Sequence, residues 1–321
     1  MQNEITVSII CNTYNHENYI ADAIEGFLIQ KTDFNFEVLI HDDASTDRTQ
    51  EIIREYELKY PDIIKPIYQK ENQHSKGVKI SSTYNFPRVK GKYIAICEGD
   101  DYWIDSFKLQ KQIDYMQKHS ECSLCVHAAY RVRPDKTKLK SPVRPSHGNR
   151  VFTTEEVILG GGGLFATNSI LYPAVFKDNR PKFFKNAPVG DFPLAIYLAL
   201  KGTVYYMDEF MSAYRVGVPG SWTNRMASSG IENQKEHINK IENMLNEINC
   251  YSEFKYTDAI KRKLCINRMN LMLKQGLFKE AREEFKEVYS SLDRVGKMRI
   301  FARQYFPNIT RVLIKLKRRF A

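Results

Sequence analysis

The N-terminal third of the chain alternates two spacings. TVSIICNTYN, FEVLIHDD, IIKPIYQ and GKYIAICEGDD are runs of apolar, often β-branched positions that break off in polar or acidic residues. Between them, ENYIADAIEGFLIQK and TDRTQEIIREYELKYP carry apolar residues at helical spacing, the second stopped by Pro61. Short apolar runs bounded by polar clusters read as strands buried on both faces, and a period of about 3.6 residues reads as helix. Strands alternating with helices imply parallel pairing through right-handed crossovers. The expected fold class is α/β, a mostly parallel sheet with helices on both faces.

Further along the pattern changes twice. RVRPDKTKLKSPVRPSHGNR is polar and interrupted by proline, the signature of a surface loop, and the glycines of GGGLFATNSILYP suit a close backbone approach to a ligand. After Trp222, IENQKEHINKIENMLNEIN, TDAIKRKLCINRMNLMLKQG and FKEAREEFKEVYSSL carry apolar residues three and four apart with charged outer faces. A C-terminal helical extension is expected, with Gly276 ending one of its helices. The boundaries that follow are an α/β domain over 1–222, a helical subdomain over 223–292 and a basic amphipathic tail over 293–321.

Composition sharpens this picture. A chain of 321 residues, 43% of them hydrophobic, can bury a sizeable core. No apolar run reaches the length of about 18 residues that a membrane span needs, and MQNEITVSII lacks the features of a signal peptide. A cytoplasmic protein is expected, and with it reduced cysteines. Cys122 and Cys125 form a CxxC beside His127, but no second pair follows at zinc spacing, and CSLCVHAAY reads as a strand with thiols packed as small hydrophobes. The net charge of +10 is concentrated at one end: from Arg294 to Ala321 there are nine Lys or Arg and no Asp or Glu.

In open α/β sheets ligands bind at the carboxyl ends of the strands. CNTYN, HDDASTD and EGDD all fall there, so three segments should converge on one crevice. Crowding Glu98, Asp100 and Asp101 at a strand end is unfavourable unless a cation or hydrogen-bond donors compensate the charge. A hard divalent ion, Mg²⁺ or Mn²⁺, suits these oxygens; an acidic turn open to water is the alternative.

TVSIICNTYNHENYI, VLIHDDASTDRTQEII, GKYIAICEGDD and APVGDFPLAIYLA together resemble the family 2 inverting glycosyltransferases, over about residues 5 to 222. The resemblance implies a GT-A, Rossmann-like fold and transfer of a sugar from a UDP-sugar to a glycan or lipid-linked glycan in surface-polysaccharide synthesis. It implies that Asn12, Thr13 and Tyr14 pack the base and ribose, that Asp43 accepts the nucleobase imide N–H, and that Lys76 and Asn85 border the donor pocket. It aligns Glu98, Asp100 and Asp101 with the DxD-type segment, with the nucleotide sugar on Glu98 and Asp100 and an Mn²⁺ or Mg²⁺ ion on Asp100 and Asp101. Glu98 stands where Asp is usual. Asp191 takes the place of the catalytic base, with Gly190 in place of the usual Glu before it.

MSAYRVGVPGSW resembles the segment that closes over the donor, where Tyr214, Arg215 and Trp222 could meet diphosphate or acceptor. Within ASTDRT, Ser45 and Asp47 suit helix capping and Asp42 suits holding the loop. Two other functions are open to a chain of this kind. A nucleotidyltransferase would carry a Gly-rich basic segment after the first strand, where CNTYNHENY stands, and a nucleic-acid-binding module is opposed by the acidic clusters. The basic, apolar tail suits an anionic membrane surface at the cytoplasmic face, or packing on the helical subdomain.

Overall fold

The computed structural model describes residues 4–290 and 294–305. It divides into two compact units, Met1–Arg180 with Leu194–Pro219, and Pro181–Pro193 with Gly220–Ala321.

The first unit holds the strands β1 (Ile5–Thr13), β2 (Asn35–Asp42), β3 (Ile64–Tyr68), β4 (Tyr93–Ile96), β5 (Tyr102–Trp103), β6 (Cys122–Val132), β7 (Arg150–Phe152), β8 (Leu171–Pro173) and β9 (Thr203–Arg215). They form one sheet in the order β3-β2-β1-β4-β8-β6-β9-β5, with β7 on β9. Parallel pairing joins β3, β2, β1 and β4, as the alternation of strands and helices predicts, and also the long ladder of β6 with β9. The antiparallel insertions β8, β5 and β7 left no periodic trace in the sequence, being two or three residues each.

Helices α1 (Ile20–Leu28), α2 (Thr49–Lys59), α3 (Lys108–Lys118) and α4 (Thr154–Gly160) complete this unit's main crossovers. Ile20, Ala23, Ile24 and Phe27 recur at helical spacing and are fully buried with Val7, Ile9, Val38 and Ile40 of the sheet. Gly26 matters because α1 lies directly on the main chain of β5: a Cβ there would stand 2.8 Å from the Trp103 nitrogen. That contact fixes the exit of the EGDD segment. In the glycine run, the close approach at Gly160 is to the side chain of Leu164, while the space beside Gly163 is open. The expected surface loop is tied down by Arg144, which forks onto Asp208 of β9 at 2.7 and 2.6 Å.

The second unit contains α5 (Phe183–Asn186), the first residues of α6 (Asp191–Ala199), and α7 (Trp222–Ser228), α8 (Ile231–Tyr251), α9 (Thr257–Gln275), α10 (Phe278–Glu284), α11 (Lys286–Ser290) and α12 (Arg294–Tyr305). Gly276 caps α9 in the left-handed conformation, φ 85°, as its sequence position predicts. FKEAREEFKEVYSSL reads as one helix but forms two, broken at Phe285, whose ring buries with Met269, Leu273, Ala281, Val288 and Ile300. Of the tail, Ile300 joins that cluster, while Met298, Phe301 and Tyr305 are exposed. Pro307, Val312, Leu313, Leu316 and Phe320 lie outside the described residues. Among the described residues, no helix is long and apolar enough to cross a membrane.

Cys122 and Cys125 are buried free thiols, and burial pushes the Cys122 thiol up to about 11, away from the reactive thiolate. Close by, Lys108 is completely buried, its Nζ 3.8 Å from the centre of the Trp103 ring and without a hydrogen-bond partner. Burial pulls this ammonium down to about 7. The unfolded chain keeps the proton up to about pH 10.4, so stability rises with pH between about 7 and 10.4 and the penalty is complete below that window. Lys108→Met should therefore melt at a higher temperature than the parent at pH 7, with a gap that narrows towards pH 9. Thermal unfolding at both pH values checks this; a gap independent of pH would mean that Lys108 does not titrate in that range.

Candidate active site

The polar strand ends meet because their strands pair in register. Thr13 lies opposite Asp42 across β1 and β2, and Ile10 lies opposite Ile96 across β1 and β4. The chain then continues the ladder past β4: Cys97 N–H donates to Ile10 O at 3.0 Å and Gly99 N–H to Asn12 O at 2.9 Å. CNTYN, HDDASTD and EGDD therefore share one edge of the sheet.

Asn12 is the hub of that edge. Its main-chain N–H donates to Glu98 Oε2 at 3.3 Å and its Nδ2 to Glu98 Oε1 at 3.5 Å. Nδ2 also donates to Ser81 Oγ at 3.0 Å, and Asn85 Nδ2 donates to Asn12 Oδ1 at 3.0 Å. Asn85 is fully buried, so it acts from behind Asn12. The structure thus brings Asn12, Asn85 and Glu98 together, three of the residues picked from sequence, and adds Ser81. Nothing in the spacing of SSTYN marked Ser81; a five-residue helical turn over Ser81–Asn85 delivers it.

Each acidic residue around Asn12 has its own compensation, mostly from neutral donors. Asp42 accepts Ser45 N–H at 3.0 Å and Gln50 Nε2 at 2.5 Å, so it holds its loop. Asp43 accepts the amides of Gln73 and His74 at 2.8 and 3.0 Å, one on each carboxylate oxygen. Asp47 Oδ1 accepts Thr49 N–H at 3.0 Å and its Oδ2 accepts Glu17 N–H at 3.0 Å; Ser45 Oγ accepts Asn15 N–H at 2.9 Å. The N-cap of α2 is Arg48, without a side-chain cap bond, so neither residue caps the helix: Asp47 ties its first residue to the loop after β1, and Ser45 stitches together the loops after β1 and β2.

Thr13 and His16 flank Gly99. A Cβ on Gly99 would sit 2.7 Å from Thr13 Oγ1 and 3.0 Å from His16 Nδ1, so only glycine lets EGDD lie this close to β1. Both of those atoms are buried without a hydrogen-bond partner. Burial pulls the His16 imidazole below its ordinary value, against the carboxylate of Asp100. His16 carried no signal in the sequence. Tyr14 is 43% exposed, a ring open to stacking. Lys76 is spent at the surface in an ion pair with Glu71.

Asp100 is half-buried, whereas Asp101 is 2% exposed with its Oδ1 accepting Arg215 N–H at 2.7 Å. Burial, with the charge of Asp100 beside it, pushes the Asp101 carboxyl well above the usual range. Among the described residues, no three His, Cys, Asp or Glu side chains form a ready metal cage. Asp100, the more open of the two, still offers hard carboxylate oxygens, fit for a divalent ion that takes its other ligands from water and a diphosphate. Arg215 departs from the reading that puts it on a diphosphate: its side chain is completely buried. Asp191 belongs to the second unit, where it opens α6 with its Oδ1 accepting Phe192 N–H at 2.7 Å. Trp222, in the same unit, is 43% exposed beside His237.

Several known proteins are similar to the chain. Rv1520, an uncharacterized protein of Mycobacterium tuberculosis, is 34% identical over 220 residues, 67% of this chain and 60% of its own length. The chain thus spans less than two thirds of that relative. The Escherichia coli protein named UDP-Glc:alpha-D-GlcNAc-diphosphoundecaprenol beta-1,3-glucosyltransferase WfaP is 36% identical over 111 residues, 35% of this chain and 41% of its own. Staphylococcus aureus TarS 1–349, solved in complex with UDP-GlcNAc, has a TM-score of 0.61 at 16% identity, covering 88% of this chain and 81% of that one, a likeness of fold. The profile of the family described as Glycosyl transferase family 2 matches residues 8–173, from β1 through β8 and so across every strand that builds the crevice. The chain belongs to glycosyl transferase family 2.

Proposed function

We propose that the chain is an inverting glycosyltransferase that moves a sugar from a UDP-sugar to a hydroxyl of a glycan or polyprenol-linked glycan, in the synthesis of a surface polysaccharide. The observation that carries this reading is the clamp of Asn12 between Glu98 and Asn85, at the edge where Asp43 and Asp100 also converge. Two names support the choice of donor and acceptor: TarS was solved with UDP-GlcNAc, and WfaP is named for UDP-Glc and a diphosphoundecaprenol acceptor.

In this reading Tyr14 stacks on the base and Thr13 and Asn12 border the ribose. Asp43 accepts the imide N–H with lone pairs left over from its two amide bonds. Glu98, held by Asn12, lines the nucleotide, and Lys76 would exchange Glu71 for a phosphate. Asp100, with Asp101 behind it, supplies carboxylates for Mn²⁺ or Mg²⁺, which when bound offsets the charge of the departing diphosphate. Asp191 takes the proton of the acceptor hydroxyl as the new glycosidic bond forms, a role that rests on its motif position and on its carboxylate at the start of a helix.

The test is a screen of nucleotide sugars for slow metal-dependent hydrolysis, with the released nucleotide measured. UDP-sugars should be cleaved, Asp100→Ala should lose metal-dependent UDP binding while keeping its fold, and Asp191→Asn should bind donor yet transfer about 10² to 10⁴ times more slowly. Wild-type Mn²⁺ and UDP affinity in the Asp100 variant would defeat the metal assignment. Transfer by Asp191→Asn within about tenfold of the parent would reduce that residue to a helix cap.

The acceptor suggests where the enzyme works. Met298, Phe301 and Tyr305 recur on one exposed side of α12, within a C-terminal stretch that carries nine Lys or Arg and no acidic residue. This composition suits an anionic bilayer at the cytoplasmic face, where each basic residue near the surface contributes about 1 kcal/mol. The full chain should cosediment with vesicles containing anionic lipid, less so in high salt, and truncation after residue 292 should abolish this while UDP binding persists. Equal recovery of both forms in the lipid pellet would remove the membrane role.

A further inference from the structure

Arg215 closes β9 and reaches two other segments of the first unit at once, residues 19–22 and 100–102. Its side chain has no exposed surface. Nη1 donates to the main-chain carbonyl of Asp100 at 2.7 Å, and Nη2 pairs with the carboxylate of Asp22 on α1. The Arg215 main-chain N–H donates to Asp101 Oδ1 at 2.7 Å. The guanidinium lies over two rings, its centre 5.0 Å from that of Tyr19 and 4.6 Å from that of Tyr102. Asp22 is held in turn from the other side, where its Oδ1 meets Lys136 Nζ at 2.7 Å.

A fully buried guanidinium is costly to desolvate and persists only where its partners are well placed. Here Arg215 makes two bonds to consecutive residues of the acidic loop, one from the guanidinium and one from its main chain. The Asp100 carbonyl is gripped by the side chain and the Asp101 carboxylate by the main chain, so turning the peptide that joins Asp100 to Asp101 breaks the first bond and displaces the residue that makes the second. The direction of the Asp100 side chain depends on that peptide's orientation. The rings of Tyr19 and Tyr102 keep the guanidinium in place, and Asp22 anchors its far end to the helix whose Gly26 also packs on β5.

We propose that Arg215 is a positioning residue: it fixes the Asp100–Asp101 peptide and thereby presents the Asp100 carboxylate to the metal and diphosphate of the donor, without touching either. This rests on the reading of Asp100 as a ligand of the donor's metal. The planar fork is essential, because a single ammonium cannot serve the Asp100 carbonyl and the Asp22 carboxylate in the same geometry. Val216 follows at once, and then Gly217 at φ 81°, so the anchored arginine also defines where the rigid strand stops.

The experiment uses the full chain with Mn²⁺ and UDP as probes, reading the Mn²⁺ concentration that half-saturates UDP binding by calorimetry and the melting temperature without ligand. Arg215→Lys keeps the charge and loses the fork; it should raise the half-saturating Mn²⁺ concentration about tenfold or more while melting within a few degrees of the parent. Asp22→Asn releases the anchor but leaves both loop bonds, and should raise that concentration about threefold. Wild-type Mn²⁺ half-saturation in Arg215→Lys would overturn the positioning role. Should that variant be recovered unfolded, Asp22→Asn decides alone, and an unchanged value in it overturns the proposal. Absence of UDP binding by the parent protein would instead bring down the donor reading, and the role of Arg215 with it.

Discussion

The site depends on one constraint, the register in which β1 pairs with β2 on one side and β4 on the other. Thr13 faces Asp42 and Ile10 faces Ile96, so three polar segments that leave their strands at different points of the sequence leave the sheet at the same level. Register is strongly specified where strands are buried, since a slip by one residue would turn every side chain to the opposite face. β1 and β2 meet that condition, with Val7, Ile9, Ile10, Val38, Leu39 and Ile40 at 1% exposure or less. The hydrophobic core therefore aligns the acidic groups, and the acidic groups need no mutual attraction to meet.

Having been brought together, the carboxylates must be reconciled with one another. The fold does this chiefly with amides and hydroxyls: Gln73 and His74 for Asp43, Ser45 and Gln50 for Asp42, Asn12 for Glu98. Neutral donors of this kind stabilise a carboxylate without filling the crevice with positive charge. The guanidinium of Arg215 is the buried exception, and it is directed at Asp22 and at a carbonyl.

Much of the site was legible because its signals are local. An apolar run that ends in polar residues identifies a strand's carboxyl end, and CNTYN, HDDASTD and EGDD each did so within ten residues of sequence. The bond from Asp47 to a free amide at the start of α2 was legible for the same reason, since its Oδ1 reaches Thr49 only two residues on. Ser81, His16 and Asp22 were not legible. Asp22 and Arg215 are 193 positions apart, and neither has a neighbour in sequence that betrays the other. The same distance misled the reading of Arg215, because an arginine after a strand and before glycines looks free to reach a phosphate until the fold buries it.

By itself, then, the sequence determined the alternation of strands and helices, the parallel pairing of β1 to β4, the polar strand ends and the family, because hydrophobic period and turn chemistry act over a few residues. Tertiary structure alone decided which carboxylates face outward. Asp100 and Asp101 are adjacent and chemically identical, yet one is half-buried and the other is 2% exposed against the Arg215 amide. It also decided that Phe285 breaks a continuous helical pattern to enter a core with Ile300, and that Gly99 must lack a side chain because Thr13 and His16 occupy the space. These outcomes depend on packing between segments far apart in the chain, where excluded volume and desolvation are set by neighbours that no local pattern names.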